Sequence, residues 1–128
     1  MRVLLDTHAF IWFVLDDPQL SPAAKTTIED PANDVLVSPA SFWEIAIKVS
    51  QKKLDLFAPY DDFMTRGIVG NDFEILPIEP RHCNRLTALP FHHKDPFDRM
   101  LVAQVLVEGI RLVSIDAILD LYGIQRLW

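Results

Sequence analysis

Three short runs, RVLL (2–5), DVLVS (34–38) and RLVSI (111–115), are apolar at nearly every position. A strand with one wet face alternates apolar and polar side chains. Runs without that alternation belong in strands buried on both faces, as in a parallel sheet covered by helices on each side. A fourth run, FEILPI (73–78), alternates more, and Pro77 lacks an N–H to donate, which suits a sheet edge or a strand end. Helical patterns fill the intervals. Residues 9–16 follow the first run, and SPAAKTTIED (21–30) opens with Ser at the N-cap and Pro at the first helical position. SPASFWEIAIKVSQKK (38–53), APYDDFMTRGIV (58–69) and PRHCNRLTAL (80–89) come next. DPFDRMLVAQVLVEG (95–109) starts on an Asp–Pro cap and ends on Gly, and AILDLYG (117–123) also ends on Gly. Alternating strands and helices predict an α/β fold of three α/β/α layers, with a mostly parallel central sheet of four to five strands flanked by helices. A length of 128 residues without repeat, low-complexity segment or linker predicts one domain, 1–128.

Composition narrows the function classes. A single cysteine, Cys83, cannot form an internal disulfide, so a reduced cytoplasmic setting is expected. No segment reaches the ~18 apolar residues of a membrane helix. AFIWFVL (9–15) sits between Asp6 and His8 on one side and Asp16–Asp17 on the other, and reads as a buried helix rather than a signal-peptide core. The net charge of −6 argues against unaided nucleic-acid binding, because phosphate contacts need Lys and Arg. It leaves room for a site where metal ions supply the positive charge. Arg81, Arg85, Lys94 and Arg99, with His82, His92 and His93, make 81–99 the one stretch able to present a basic face.

The carboxylates carry the chemistry. Asp6 ends the first strand and Asp116 ends the last, each directly before a helix. Either alone is accounted for as an N-cap, worth ~1 kcal/mol. Together they stand at the same end of two parallel strands, where ligands of such sheets bind. Glu44 interrupts a helix that is apolar at Phe42, Trp43, Ile45, Ala46, Ile47 and Val49, so it needs a cation or hydrogen-bond donors to offset desolvation. Lys48 at i+4 can serve, and so can a metal. Asp98 lies in the first turn of the 96–108 helix, where the dipole favours an acid anyway. Asp95 reads as that helix's N-cap, and Arg99 can pair with either acid. Ile11, Trp12, Phe13, Phe42 and Trp43 are expected in the core, with a groove or a dimer contact as the alternative.

Three or four carboxylates packed together repel one another unless some stay protonated or a cation joins them. Mg²⁺ and Mn²⁺ take oxygen ligands of this kind. Such an ion generates a nucleophile from water and steadies the leaving oxygen of a phosphodiester. Asp6, Glu44, Asp98 and Asp116 would be the ligands, with the hydroxyls of Thr7 and Ser114 in support. Other chemistries lack their motifs: there is no GxxxxGK[ST] or GxGxxG loop, no HExxH, no zinc-knuckle spacing and no GxSxG elbow.

LLDTHAFIW, SFWEIAIK, HKDPFDRMLVAQ and LVSIDAILDLYGI, in that order and spacing, resemble the PIN-domain ribonucleases and, among them, the VapC-type toxins of toxin–antitoxin pairs. The resemblance spans almost the whole chain. It implies a PIN-like fold and a Mg²⁺- or Mn²⁺-dependent endoribonuclease whose acidic metal site is Asp6, Glu44, Asp98 and Asp116. It also implies a homodimer, and neutralisation by a small VapB-like antitoxin laid over the site. Asp95 belongs to the DPFDR variant of the motif. His8 stands where many relatives carry Asn, and no expected acid is missing. Two other readings differ in class. A phosphatase of the HAD type needs a second Asp two residues after the first, where this chain has His8. A non-catalytic binding module would use the acids only as caps and surface pairs.

Overall fold

In the computed structural model, which describes residues 1–128, the chain runs β1 (Arg2–Leu5), α1 (Thr7–Val14), α2 (Pro22–Glu29), β2 (Asp34–Val37), α3 (Pro39–Ser50), α4 (Tyr60–Ile68), β3 (Glu74–Ile75), α5 (Pro80–Thr87), α6 (Pro96–Glu108), β4 (Arg111–Val113), a 3-10 helix (Ala117–Tyr122) and β5 (Arg126–Leu127). The strands lie in the order β3–β2–β1–β4–β5, and every neighbouring pair is parallel. β1 is central. The chain builds outward from it to β2 and β3 on one side, then places β4 and β5 on the other. This reversal leaves a crevice at the carboxyl ends of β1 and β4, the usual ligand position in an open parallel sheet.

The apolar runs explain the layering. Side chains alternate across a strand. Val3, Leu5, Val35, Val37 and Val113 therefore face one helical layer, where they pack with Phe10, Ile45, Phe63 and Phe73. Leu4, Leu36 and Leu112 face the other, against Leu101, Val102, Val105 and Leu119. The three-layer α/β/α arrangement with a five-stranded sheet is the predicted one. No helix is long and apolar enough to cross a membrane.

Three local expectations need correction, and one strand, β5, had no signal in the sequence. β3 covers only Glu74–Ile75 instead of 73–78. The Leu76 N–H still donates to Val37 O, but Pro77 has no donor, and the Gln104 amide from α6 takes the carbonyls of Leu76 and Pro77. β5 is two residues long, too short for any periodicity to register. The last helix is 3-10, closed by Gly123 in the left-handed region. Trp43, expected in the core, is 66% exposed, whereas Ile11 is buried and Trp12, Phe13 and Phe42 lie half-buried against the core.

Phe10 packs α1 against α4 within one helical layer. Its ring is fully buried, meets Phe63 edge-on with centroids 6.0 Å apart, and occupies the space where a Cβ on Gly67 would stand 2.7 Å from Cζ. Phe10→Ala is expected to lower the unfolding free energy by about 3–5 kcal/mol in urea titrations, with the fold retained.

Candidate active site

Four carboxylates gather above the carboxyl edge of the sheet, each delivered by a different piece of backbone: ligand atoms of Asp98, Asp116 and His93 lie within 4.8 Å of one another, and Asp6 and Glu44 act on Asp98 through their charge. Asp6 follows β1 directly, and its own N–H extends the ladder by donating to Val113 O (3.0 Å). Asp116 lies three residues past β4. Asp98 sits in the first turn of α6, which returns toward the start of β4 and so begins on the carboxyl side of the sheet. Glu44 comes from α3, which starts where β2 ends, with Ser38 as its cap.

Asp6 and Asp116 do act as N-caps, but each with one oxygen. Asp6 Oδ1 accepts from the Ala9 N–H (2.8 Å) and Asp116 Oδ1 from the Ile118 N–H (3.1 Å). Asp6 is nevertheless buried, with the Ser114 hydroxyl beside it. Asp116 turns Oδ2 to His93. Capping therefore explains half of each side chain. Glu44 is divided in the same way. Its Oε2 accepts from the Lys48 ammonium at 2.8 Å, the i,i+4 pair read from the sequence, while Oε1 is buried with no hydrogen-bond partner. An ionised oxygen left without a donor in a buried place costs free energy unless a cation completes it.

Burial is the main force that pushes the Asp98 carboxyl up to about 7, and the charges of Asp95, Asp6 and Glu44 add to it; His93 opposes them. Burial likewise raises Asp6, helped by Glu44 and opposed by the Ser114 hydroxyl, the Ala9 N–H and His8. Asp6, Glu44 and Asp98 thus feel one another, and His93 ties in Asp116. Below about pH 7 the cluster without metal holds a proton on Asp98. Divalent cations compete with protons for such a position. All-oxygen donors, crowded negative charge and an orphaned carboxylate oxygen fit Mg²⁺ or Mn²⁺.

His93 is the residue that sequence reading missed as part of the site. Its Nδ1 accepts from the Asp95 N–H (3.0 Å), so the neutral ring carries its proton on Nε2. Nε2 donates to Asp116 Oδ2 (2.9 Å) and faces Asp98 Oδ2 at 3.5 Å. The only available signal was a histidine two positions before a helix cap, and His92 competes with it in the sequence. His92 instead packs edge-on against the Tyr122 ring.

The supporting residues fall as follows. Asp95 is the α6 cap, accepting from the N–H groups of Phe97 and Asp98. Ser114 lies in the site, its hydroxyl also accepting from the Asp116 N–H. Thr7 donates its hydroxyl to Ser41 on α3 rather than into the cluster (2.9 Å). Arg99 pairs with neither acid, correcting that expectation. It is buried, donating to the carbonyls of Leu89 and Pro90 and to the Tyr122 hydroxyl, with its guanidinium over the Phe91 ring. Arg81 is engaged by Glu79 and Glu108, and His82 is fully buried. The expected basic face over 81–99 is therefore largely dismantled, leaving Arg85 and Lys94 exposed.

A raised carboxyl pKa means that the folded protein binds the Asp98 proton more tightly than the unfolded chain. Stability from this group is full below about pH 4 and is lost as pH rises through about 7. Metal-free wild type should lose about 5–10 °C of Tm between pH 5 and 8. Asp98→Asn should show a smaller loss and melt above wild type at pH 8; identical profiles would contradict the assignment.

Comparison with known proteins bears on the family and the fold. A family model described as PIN domain matches residues 3–124. Ribonuclease VapC22 of Mycobacterium tuberculosis is 30% identical over 115 residues, which cover 89% of this chain and 86% of that protein. A chain in the crystal structure of VapBC2 from Rickettsia felis, bound to a DNA fragment from their promoter, superposes with a TM-score of 0.74 at 13% identity, covering 99% of this chain and 98% of that one. FitAcB from Neisseria gonorrhoeae gives 0.66 at 17% identity, covering 98% and 96%. At these identities the structural likenesses speak for the fold.

Proposed function

The chain belongs to the PIN-domain family, alongside the VapC-type ribonucleases, and on that premise we propose that it is a single-domain, metal-dependent endoribonuclease toxin. Asp6, Glu44, Asp98 and Asp116 would hold Mg²⁺ or Mn²⁺, and the substrate is RNA. A small VapB-like antitoxin would restrain the enzyme, which acts as a cytoplasmic homodimer. The observation that carries the reading is the buried, partnerless Oε1 of Glu44, on a side chain whose charge helps to push the Asp98 carboxyl up to about 7. The curated relative is named a ribonuclease. The solved relatives include VapBC complexes, which supports the antitoxin.

A bound Mg²⁺ or Mn²⁺ supplies Lewis acidity at the phosphodiester and lowers the pKa of water. The chain's own residues prepare the place. The Ala9 N–H fixes the Asp6 carboxylate from one side, so it needs little reorganisation to bind a cation. Lys48 holds one oxygen of Glu44 and leaves the other available. Asp98 carries the proton that a cation displaces. His93 keeps Asp116 turned toward Asp98, and Arg99 and Tyr122 in turn hold the loop that bears His93: the Tyr122 hydroxyl accepts from both the His93 N–H and Arg99. A reading in which the acids serve only as caps leaves Glu44 and Asp98 unexplained.

The test is cleavage of total RNA by purified protein with Mg²⁺, Mn²⁺ or EDTA, comparing wild type with Asp6→Asn and Glu44→Gln. Loss of a group that merely orients a metal ligand costs about 10–100-fold, so loss of a ligand is expected to reduce the discrete, metal-dependent cuts by more than about 100-fold. Equal cutting by all three proteins, or none by wild type with any metal, would overturn the proposal.

A further inference from the structure

Beside the acids, a groove of about 360 Å³ runs between α3 and the turn that leads into α6. Glu44, Lys48, Gln51, Lys53, Lys94 and Phe97 line it. Its volume is near the lower end for ligand sites, ~300 Å³. Glu44 belongs both to this groove and to the acid cluster, so a chain lying in the groove reaches the acids without a gap. Of the two carboxylates that line it, Glu44 has one oxygen held by Lys48 and Asp95 is held by the backbone of α6. Lys53 and Lys94 have no carboxylate within ion-pair distance. At the rim of the groove, outside its lining, the indole of Trp43 is 66% exposed and stands perpendicular to the ring of the lining residue Phe97, with centroids 5.4 Å apart.

We propose that this groove seats an unpaired nucleotide of the RNA strand next to the bond that is cut, its base on Trp43 and its phosphate on Lys53 and Lys94. The proposal rests on the ribonuclease reading and adds to it the residues that seat the strand beside the acids. Bases of every kind stack on an aromatic face, while lysines read only phosphate charge. The seat therefore holds the strand without choosing its sequence. Free cations beside an exposed indole and contiguous with a phosphodiester-cutting centre match a nucleotide in both its parts; an acidic peptide would match the lysines alone.

The test is binding of a labelled, unstructured RNA oligonucleotide by fluorescence anisotropy, on an Asp6→Asn background that does not cut. Trp43→Ala is expected to weaken binding by about 5–150-fold, and Trp43→Phe to retain it. Lys53→Ala and Lys94→Ala should each flatten the salt dependence of log K by about 0.7. Lys25→Ala, whose ammonium pairs with Asp16 and Glu29, should behave as the parent. RNA should quench tryptophan emission in the parent and lose most of that effect in Trp43→Phe. If Trp43→Ala and the lysine variants bind RNA like the parent while wild type still cuts, the seat is wrong and the ribonuclease reading stands. If wild type neither cuts nor binds RNA, both fall. A groove that binds polyglutamate but not RNA overturns the proposal in favour of an acidic peptide.

Discussion

Carboxylates crowded at the carboxyl edge of a parallel sheet repel one another, and their burial makes each charge costlier still. Most of what surrounds them is a response to that constraint. Backbone N–H groups at the starts of two helices take one oxygen each from Asp6 and Asp116. Lys48 takes one from Glu44, and the His93 ring lies between Asp116 and Asp98. These measures neutralise part of the cluster and stop short of all of it. Asp98 keeps its proton up to about pH 7, and one oxygen of Glu44 stays bare. A divalent cation held by these acids would remove both penalties at once.

The scaffold that holds this arrangement is indirect and polar. Arg99 is buried without an acid partner, yet its donors are taken up by two carbonyls and the Tyr122 hydroxyl. That hydroxyl also receives the His93 N–H, so the loop before α6 is tied to the 3-10 helix that Asp116 caps. A change at Arg99 or Tyr122 thus reaches the acids through His93 without touching them.

Much of this was legible in the sequence, for definable reasons. Strands buried on both faces leave unbroken apolar runs, which placed β1, β2 and β4 within two residues. Paired Asp residues at strand ends then pointed to the site, and the greasy surroundings of Glu44 marked it as enclosed. What escaped depends on three-dimensional competition for partners. Nothing in HHKDPFD tells which histidine turns inward. Arg99, adjacent in sequence to Asp98, finds carbonyls instead, and Arg81 and His82 are absorbed by Glu79, at the start of α5, and Glu108, at the end of α6. Trp43 belongs to an apolar run, but Ile45 is buried, and a residue two positions away lies about 200° around the helix, so Trp43 projects outward.

Calorimetric titration of Mn²⁺ into metal-free protein, in two buffers of different ionisation enthalpy, tests most directly whether the acids form a metal site. The expected result is binding with release of about one proton at pH 6, falling toward none by pH 8.5, and both the binding and the release sharply reduced in Asp98→Asn. Absence of binding, or binding without proton release that is unaffected by the substitution, would contradict the assignment of these acids as metal ligands.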